Sequence, residues 1–186
     1  MTSSQSSTPT PVPRSRWRRL LRHRWMDETD ARRALGDAAQ ARVAQRIAQS
    51  ESAHSGEIRV LVEAGLPLSY LWHRRSARDR ALTLFGKTGV WDTAANNGVL
   101  IYVLLADHAI EIVADRGVAA VVPPGHWDAV VQGMGEAFRA GRFEEGVLAA
   151  VDAVDAVLRA HFPLGPGESN PNELPDAPLV GEGLGR

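Results

Sequence analysis

The chain has 186 residues, of which 44% are hydrophobic and 23% charged, and these proportions are typical of one globular domain. It contains no cysteine, which excludes disulfide bonds, a thiolate nucleophile and a thiolate metal site. The net charge is only -1, but six of the 21 basic residues lie between Arg14 and Arg24, so a basic segment precedes an acidic body. An acidic body repels nucleic acid, and we expect no nucleic-acid partner.

Residues 1–26 are predicted to form an arm outside the folded domain. Residues 1–13 are mostly Ser, Thr, Gln and Pro, a composition that favours disorder. In the segment Arg14–Trp25, arginines occupy one face of a helix and large apolar residues the other, namely Trp17, Leu20, Leu21 and Trp25. This pattern indicates contact with an anionic membrane. A solvated basic tail, a helix packed on the acidic domain and an organelle transit peptide are the alternatives.

Hydropathy bears on the compartment. No apolar run approaches the ~18 to 20 residues that cross a bilayer, and the N-terminus lacks the apolar core of a secretory signal. We therefore expect a cytoplasmic protein, with peripheral contact at the inner membrane through the arm.

The first half of the body, from residue 27, is predicted to contain two helices and a strand. Apolar residues recur every four positions over 27–54, which favours a single amphipathic helix. Residues 57–64 alternate in polarity and predict a strand. A second helix is expected over about 69–86, followed by a loop that reaches residue 97.

The second half opens with two short apolar runs, 98–105 and 109–114, joined by the polar residues 106–108. Such runs predict buried strands, and the short connection makes them an antiparallel hairpin. Helical stripes follow over Trp127–Phe138 and Phe143–Leu158. Residues 164–186 are rich in Pro and Gly and are predicted to form an extended, flexible tail.

This order of elements predicts an α/β fold for residues 27–163. A strand-helix-strand crossover gives right-handed parallel pairing, so the first two strands are expected to be parallel. The hairpin then adds an antiparallel strand. We predict a three-layer α/β/α sandwich with a small mixed sheet and helices on both faces.

The predicted sheet gathers polar residues at one end. Glu57 begins the first strand, Asn97 precedes the second and Asp115 follows the third, with Asp92, Asn96 and Arg116 beside them in the sequence. Oxygen donors of this kind suit Ca²⁺ or Mg²⁺ better than Zn²⁺. The alternative for each residue is structural: turn asparagines, a strand-ending ion pair, a loop cap and a solvated acid. Clustered carboxylates repel one another, which favours a functional role for the group as a whole.

Four motifs resemble the TPM-domain family, also called TPM phosphatase-like: Ser55-Gly56-Glu57-Ile58, Asn96-Asn97-Gly98-Val99-Leu100-Ile101, Glu111-Ile112-Val113-Ala114-Asp115-Arg116-Gly117 and FRAGRFEEG at 138–146. The resemblance covers roughly residues 28–163. It is most similar to the short bacterial form without a signal peptide or membrane span. The resemblance implies an α/β/α sandwich and, as a partner, a LemA-type membrane protein.

The same resemblance implies acid phosphatase activity and a divalent metal. Many family members carry Asp-Asn-Gly where this chain has Asn96-Asn97-Gly98, so an amide replaces a carboxylate at a ligand position. Two functions are therefore weighed. The first is an accessory binding module near the inner membrane or envelope that binds a protein partner or a divalent cation. The second is a metal-assisted phosphomonoester hydrolase, with Glu57, Asp92 and Asp115 as ligands and Arg116 as phosphate clamp. No glycine-rich dinucleotide motif is present, and no nucleotide cofactor is expected.

Overall fold

A computed structural model describes residues 21, 23, 25 and 28–181, so the predictions on residues 1–20 lie outside the described residues. Within the described part, seven helices and four strands have defined bounds. In chain order they are α1 (Glu28–Ala34), α2 (Asp37–Glu51), β1 (Ile58–Glu63), α3 (Leu68–Trp72), α4 (Ala77–Lys87), β2 (Val99–Leu104), β3 (Ala109–Ala114), α5 (Arg116–Val121), α6 (Asp128–Arg139), α7 (Phe143–His161) and β4 (Leu179–Val180). None of the helices in these ranges has the length and apolar composition needed to span a bilayer.

The four strands form one mixed sheet in the order β3-β2-β1-β4. Strands β1 and β2 are parallel, with Ile58 opposite Val99, as the crossover through α3 and α4 requires. Strands β2 and β3 are antiparallel, with Val99 opposite Ala114. The predicted α/β class, the parallel crossover and the hairpin are confirmed.

Apolar side chains pack on both faces of the sheet. The larger core joins one face to the long helices α2 and α7, through residues that include Val43, Ile47, Val60, Ile101, Val151 and Val154. The smaller core joins the other face to α4, through residues that include Leu61, Ala81, Leu84, Leu100 and Tyr102. Since β1 and β2 are buried throughout, they carry apolar residues on both faces.

The single helix predicted over 27–54 is wrong, because the chain breaks between α1 and α2. Gly36 has an extended backbone (φ -69°, ψ 165°) and is the N-cap residue of α2. The side-chain amide of Gln40 donates to the carbonyl of Leu35 at 2.8 Å. This bond satisfies a carbonyl that the break leaves without its helical partner.

The helix predicted over 69–86 is also divided, into α3 and α4. Arg74 adopts a left-handed backbone (φ 56°), which ends the first helix. Ser76 then starts the second with a capping box, in which its hydroxyl accepts from the amide of Asp79 and the Asp79 carboxylate accepts from the Ser76 amide. Capping boxes begin helices, so the Ser76 motif outweighs the continuous periodicity.

Residues 164–181 differ from the predicted flexible tail, because they lie against the domain. Strand β4 pairs in parallel with β1, and the amide of Gly181 donates to the carbonyl of Val62 at 2.9 Å. The guanidinium of Arg59 donates to the carbonyls of Pro175 and Ala177. The tail thereby covers part of β1, which would otherwise be an open edge strand.

The arm also meets the domain earlier than the boundary predicted at residue 27. His23 is buried, and its Nδ1 accepts from the amide of Leu66 at 2.9 Å. Its Nε2 lies 3.0 Å from a carboxylate oxygen of Asp107, in the turn between β2 and β3. Residue 23 is therefore anchored at the end of the sheet where β1 finishes.

Candidate functional site

Three chain segments meet where β1 and β2 begin and β3 ends, which we call the polar end of the sheet. The amide of Val99 donates to the carbonyl of Glu57, and the amide of Asp115 donates to that of Gly98, both at 2.9 Å. The main chains of the predicted site residues therefore adjoin. Their side chains follow different paths.

Glu57 is enclosed by the C-terminal segment. Its side chain has no solvent exposure, and its two carboxylate oxygens accept from the amides of Glu173 at 3.0 Å and Leu174 at 3.2 Å. Burial raises the pKa of Glu57, while these two backbone bonds act to lower it. The carboxylate holds residues 173–174 in place and is not open to a ligand from solvent.

Asn96 and Arg116 bind each other. Asn96 has a left-handed backbone (φ 52°), which Asn adopts more readily than most residues. Its side-chain oxygen accepts from Nε of Arg116 at 2.8 Å and from Nη2 at 2.7 Å. The side-chain oxygen of Asn96 is thus a guanidinium acceptor.

Gly117 permits this close arrangement. Its amide donates to the carbonyl of Asn96 at 2.9 Å. A Cβ on Gly117 would lie 2.5 Å from that carbonyl oxygen and 2.8 Å from the carbonyl oxygen of Ala95, closer than real Cβ contacts. Backbone on both sides leaves no flexible side chain to move away, so glycine is required there.

Asp115 is the N-cap of helix α5, a short helix that the sequence pattern does not predict. One carboxylate oxygen, Oδ1, accepts from the amide of Arg116 at 2.7 Å. Short polar side chains at this position satisfy free amides at a helix start. The other oxygen, Oδ2, is buried and has no hydrogen-bond partner among the described residues.

Asn97 also has a buried side-chain oxygen without a hydrogen-bond partner among the described residues. Its side chain has no solvent exposure, and its Nδ2 donates to the hydroxyl of Ser55 at 3.1 Å. Its backbone amide donates to the hydroxyl of Thr93 at 3.0 Å. The side-chain oxygen Oδ1 is buried without a partner in the described part of the chain. Buried oxygens are rarely left unpaired, and Asn97, Asp115 and Glu51 each have one such oxygen at the polar end.

The predicted set does not come together as a carboxylate cluster. Asp92 lies exposed on the loop before β2, and Glu57 faces the tail. Across residues 21, 23, 25 and 28–181, no group of three His, Cys, Asp or Glu side chains is placed to hold a metal. A divalent ion would therefore rely on Asn97 and Asp115, with carbonyls and water completing the 6 to 8 oxygens that Ca²⁺ typically takes.

Glu51 is a second buried acid at this end, and the sequence pattern does not predict its burial. It lies at the end of α2, only 4% exposed, and its Oε1 accepts from the amide of Ile58 at 2.8 Å. Burial raises the pKa of Glu51 to about 8, and the nearby charges of Glu57 and Asp176 add to that effect. An acid after an apolar stripe carries no local signal of burial, because the segments that cover it come from elsewhere.

Ser50, His54 and Asp155 form a buried polar network between α2 and α7. The hydroxyl of Ser50 donates to the Asp155 carboxylate at 2.6 Å and lies 2.8 Å from Nε2 of His54. Burial lowers the pKa of His54, which favours the neutral ring. Ser50 and Asp155 both lie near Nε2 of His54, whereas a triad uses one ring nitrogen for each partner. Ser50 also has no solvent exposure, so this is a structural network and not a hydrolytic triad.

The fold and its sequence match a known protein family. The model of the TPM domain matches residues 29–157, and the chain belongs to the TPM-domain family. No curated protein matches the chain.

Two solved structures share the fold. The NMR structure of the BA42 protein from the psychrophilic bacterium Bizionia argentinensis is 28% identical, with a TM-score of 0.67. The match covers 78% of this chain and 94% of that one. The N-terminal domain of a protein from P. gingivalis is 24% identical over 69% of this chain and 78% of that one, with a TM-score of 0.57, and shows likeness of fold alone.

Proposed function

We propose that this protein is an accessory binding module of the TPM-domain type that works at a membrane surface, and not a dedicated hydrolase. One observation carries the proposal: Glu57, the buried acid nearest the strand ends, accepts two backbone amides from residues 173–174. A carboxylate used in this way is not free to bind a catalytic metal or to activate water.

Of the other groups that the hydrolase hypothesis needs, the phosphate clamp is similarly engaged. Hydrolysis of a phosphomonoester needs a nucleophile or an activated water, together with positive charge on the phosphoryl oxygens. Arg116, the proposed phosphate clamp, has two of its nitrogens on Asn96. Asp92 is exposed. These contacts favour a binding role for the polar end.

The ligand proposed for the polar end is a divalent cation, Ca²⁺ or Mg²⁺. Asn97 and Asp115 each keep one buried oxygen unpaired, and a hard cation satisfies such oxygens. Together they bring a single formal negative charge, so we expect weaker binding than at sites with several carboxylates. A LemA-type membrane protein, the partner that the family resemblance implies, is proposed as the protein that this module assists.

Calorimetric titration of Ca²⁺ and Mg²⁺ tests the cation proposal. Wild-type protein is expected to give binding heat that Asp115→Asn abolishes, since the substitution keeps an oxygen for the helix cap but removes the charge. Asp92→Asn is the matched control and should bind like wild type, because Asp92 is exposed. Equal heats from wild type and Asp115→Asn would refute the site.

A hydrolysis assay separates the two functions. With a generic aryl phosphate and added Mg²⁺ or Ca²⁺, we expect the rate of wild-type protein to equal that of Arg116→Ala. Turnover that disappears in Arg116→Ala while the protein stays folded would establish the hydrolase and overturn the binding-module proposal.

A further inference from the structure

Large apolar side chains are exposed at the end of the sheet opposite the polar end, which we call the arm end. On α3, Leu68 is 66% exposed and Trp72 is 81% exposed. On the arm, Leu21 is 54% exposed and Trp25 is 81% exposed. Single exposed apolar residues are common, but two pairs, each containing a tryptophan, on adjoining segments need a reason.

Buried contacts hold the two segments together. His23 lies between Leu21 and Trp25 in the sequence, and its ring accepts the amide of Leu66 at 2.9 Å. Leu66 is itself two residues before Leu68. A Cβ on Gly65 would lie 2.9 Å from the carbonyl oxygen of His23, so the two backbones are also in close approach. The arm and α3 therefore share one end of the molecule.

The exposed faces combine apolar and cationic groups. Leu68 and Trp72 are four residues apart in a helix and point to the same side. His73, Arg74 and Arg75 follow directly and are all exposed. The acids near this end are engaged: Asp79 caps α4 through Ser76, and Asp107 contacts His23.

We infer that α3 and the arm residues Leu21 and Trp25 form one composite surface for anionic lipid, in which Leu68 and Trp72 are the second anchor. This inference rests on the membrane role proposed for the arm and adds to it. Tryptophan and leucine side chains enter the boundary between headgroups and acyl chains, while arginines bind the anionic headgroups. One short amphipathic helix binds lipid marginally, and a second anchor makes the attachment stable.

The surface also sets the orientation of the domain. Strands β1 and β2 have six residues each, so about 20 Å of sheet separates the arm end from the polar end. With the arm end on the bilayer, Asn97 and Asp115 face away from it. The cation and any partner at the polar end are then approached from the aqueous side.

Co-sedimentation of the full-length chain with vesicles of mixed phosphatidylglycerol and phosphatidylcholine tests the second anchor. The double variant Leu68→Ser/Trp72→Ser is expected to bind at least about tenfold more weakly than wild type, because two large apolar groups no longer leave water. Trp91→Ser is the matched control. Trp91 is 54% exposed but lies on the loop at the polar end, so its loss should leave vesicle binding unchanged.

A third variant distinguishes failure of this inference from failure of the membrane role. Replacing Arg14, Arg16, Arg18 and Arg19 by glutamine removes arm charge and should also weaken binding. If this variant loses vesicle binding while Leu68→Ser/Trp72→Ser binds like wild type, the second anchor is refuted and the membrane role stands. If wild type does not bind anionic vesicles, both proposals fall. Urea denaturation of each variant, expected to match wild type, shows that the substitutions act at the surface and not on folding.

Discussion

A buried acid lies at each end of strand β1, but the two acids have different hydrogen-bond partners. At the arm end, Glu63 accepts from Nε of Arg80 at 2.9 Å and from its Nη2 at 2.5 Å, and from the hydroxyl of Tyr102 at 2.8 Å. At the polar end, just before the strand, Glu57 accepts only main-chain amides, those of residues 173 and 174. One acid is neutralised by a cation, and the other is enclosed by a returning segment of chain.

Burial of an acid does not by itself mark a functional site. Around Glu63, burial acts to lower the pKa of Arg80, but the bond and charge of Glu63 raise it above its ordinary value. Both carboxylate oxygens of Glu63 have hydrogen-bond partners. At the polar end, single oxygens of Glu51, Asn97 and Asp115 are unpaired within the described chain. Unpaired buried oxygens therefore distinguish the polar end from the arm end.

The largest effect is expected from breaking the complete end. Arg80→Met removes the cation and leaves the Glu63 carboxylate buried without it, which should cost about 3–5 kcal/mol of unfolding free energy. Urea denaturation measures this loss. The control is Arg42→Met, which removes an exposed pair with Glu144 and should change stability little. Equal losses in the two variants would show that Glu63 does not depend on Arg80.

A smaller effect is expected from loosening the segment that encloses Glu57. Leu174 is 9% exposed and packs in the smaller core, so Leu174→Ala should cost about 2–3 kcal/mol. Leu82→Ala, at a position that is 49% exposed, should cost far less and is the control. If the two variants unfold at the same urea concentration, residues 173–181 do not contribute to the fold as the contacts indicate.

The effect most specific to the polar end is a change in pH dependence. Burial raises the pKa of Glu51 from its ordinary 4.5 to about 8, so the folded protein holds a proton that the unfolded chain releases. This contribution to stability is complete below pH 4.5 and is lost as the pH rises toward 8.

Glu51→Gln should therefore flatten the pH dependence and lose less stability than wild type between pH 5 and pH 8. Thermal unfolding across this range measures the slope. Glu145→Gln, whose side chain is 65% exposed, should leave the slope unchanged. A wild-type slope in Glu51→Gln would show that Glu51 ionises normally.

The amino-acid sequence predicts the apolar strand β2, its hairpin partner β3 and the end of the sheet at which their polar neighbours meet. The apolar runs of β2 and β3 and the short polar connection between them are local features, and local features decide strand and turn. The crossover rule makes β1 parallel to β2, so Glu57, Asn97 and Asp115 lie at the same end of the sheet.

The hydrogen-bond partners and burial of those side chains depend on the tertiary structure. The Glu57 carboxylate accepts from the backbone amides of residues 173 and 174, which lie 116 and 117 positions further along the chain. Strand β4 has only two residues, too few to show a strand pattern. The burial of Glu51 likewise depends on segments packed over it from outside its own helix. Periodicity records which face of an element is apolar, but the partner of a polar group is set by packing between distant segments, and no local pattern encodes it.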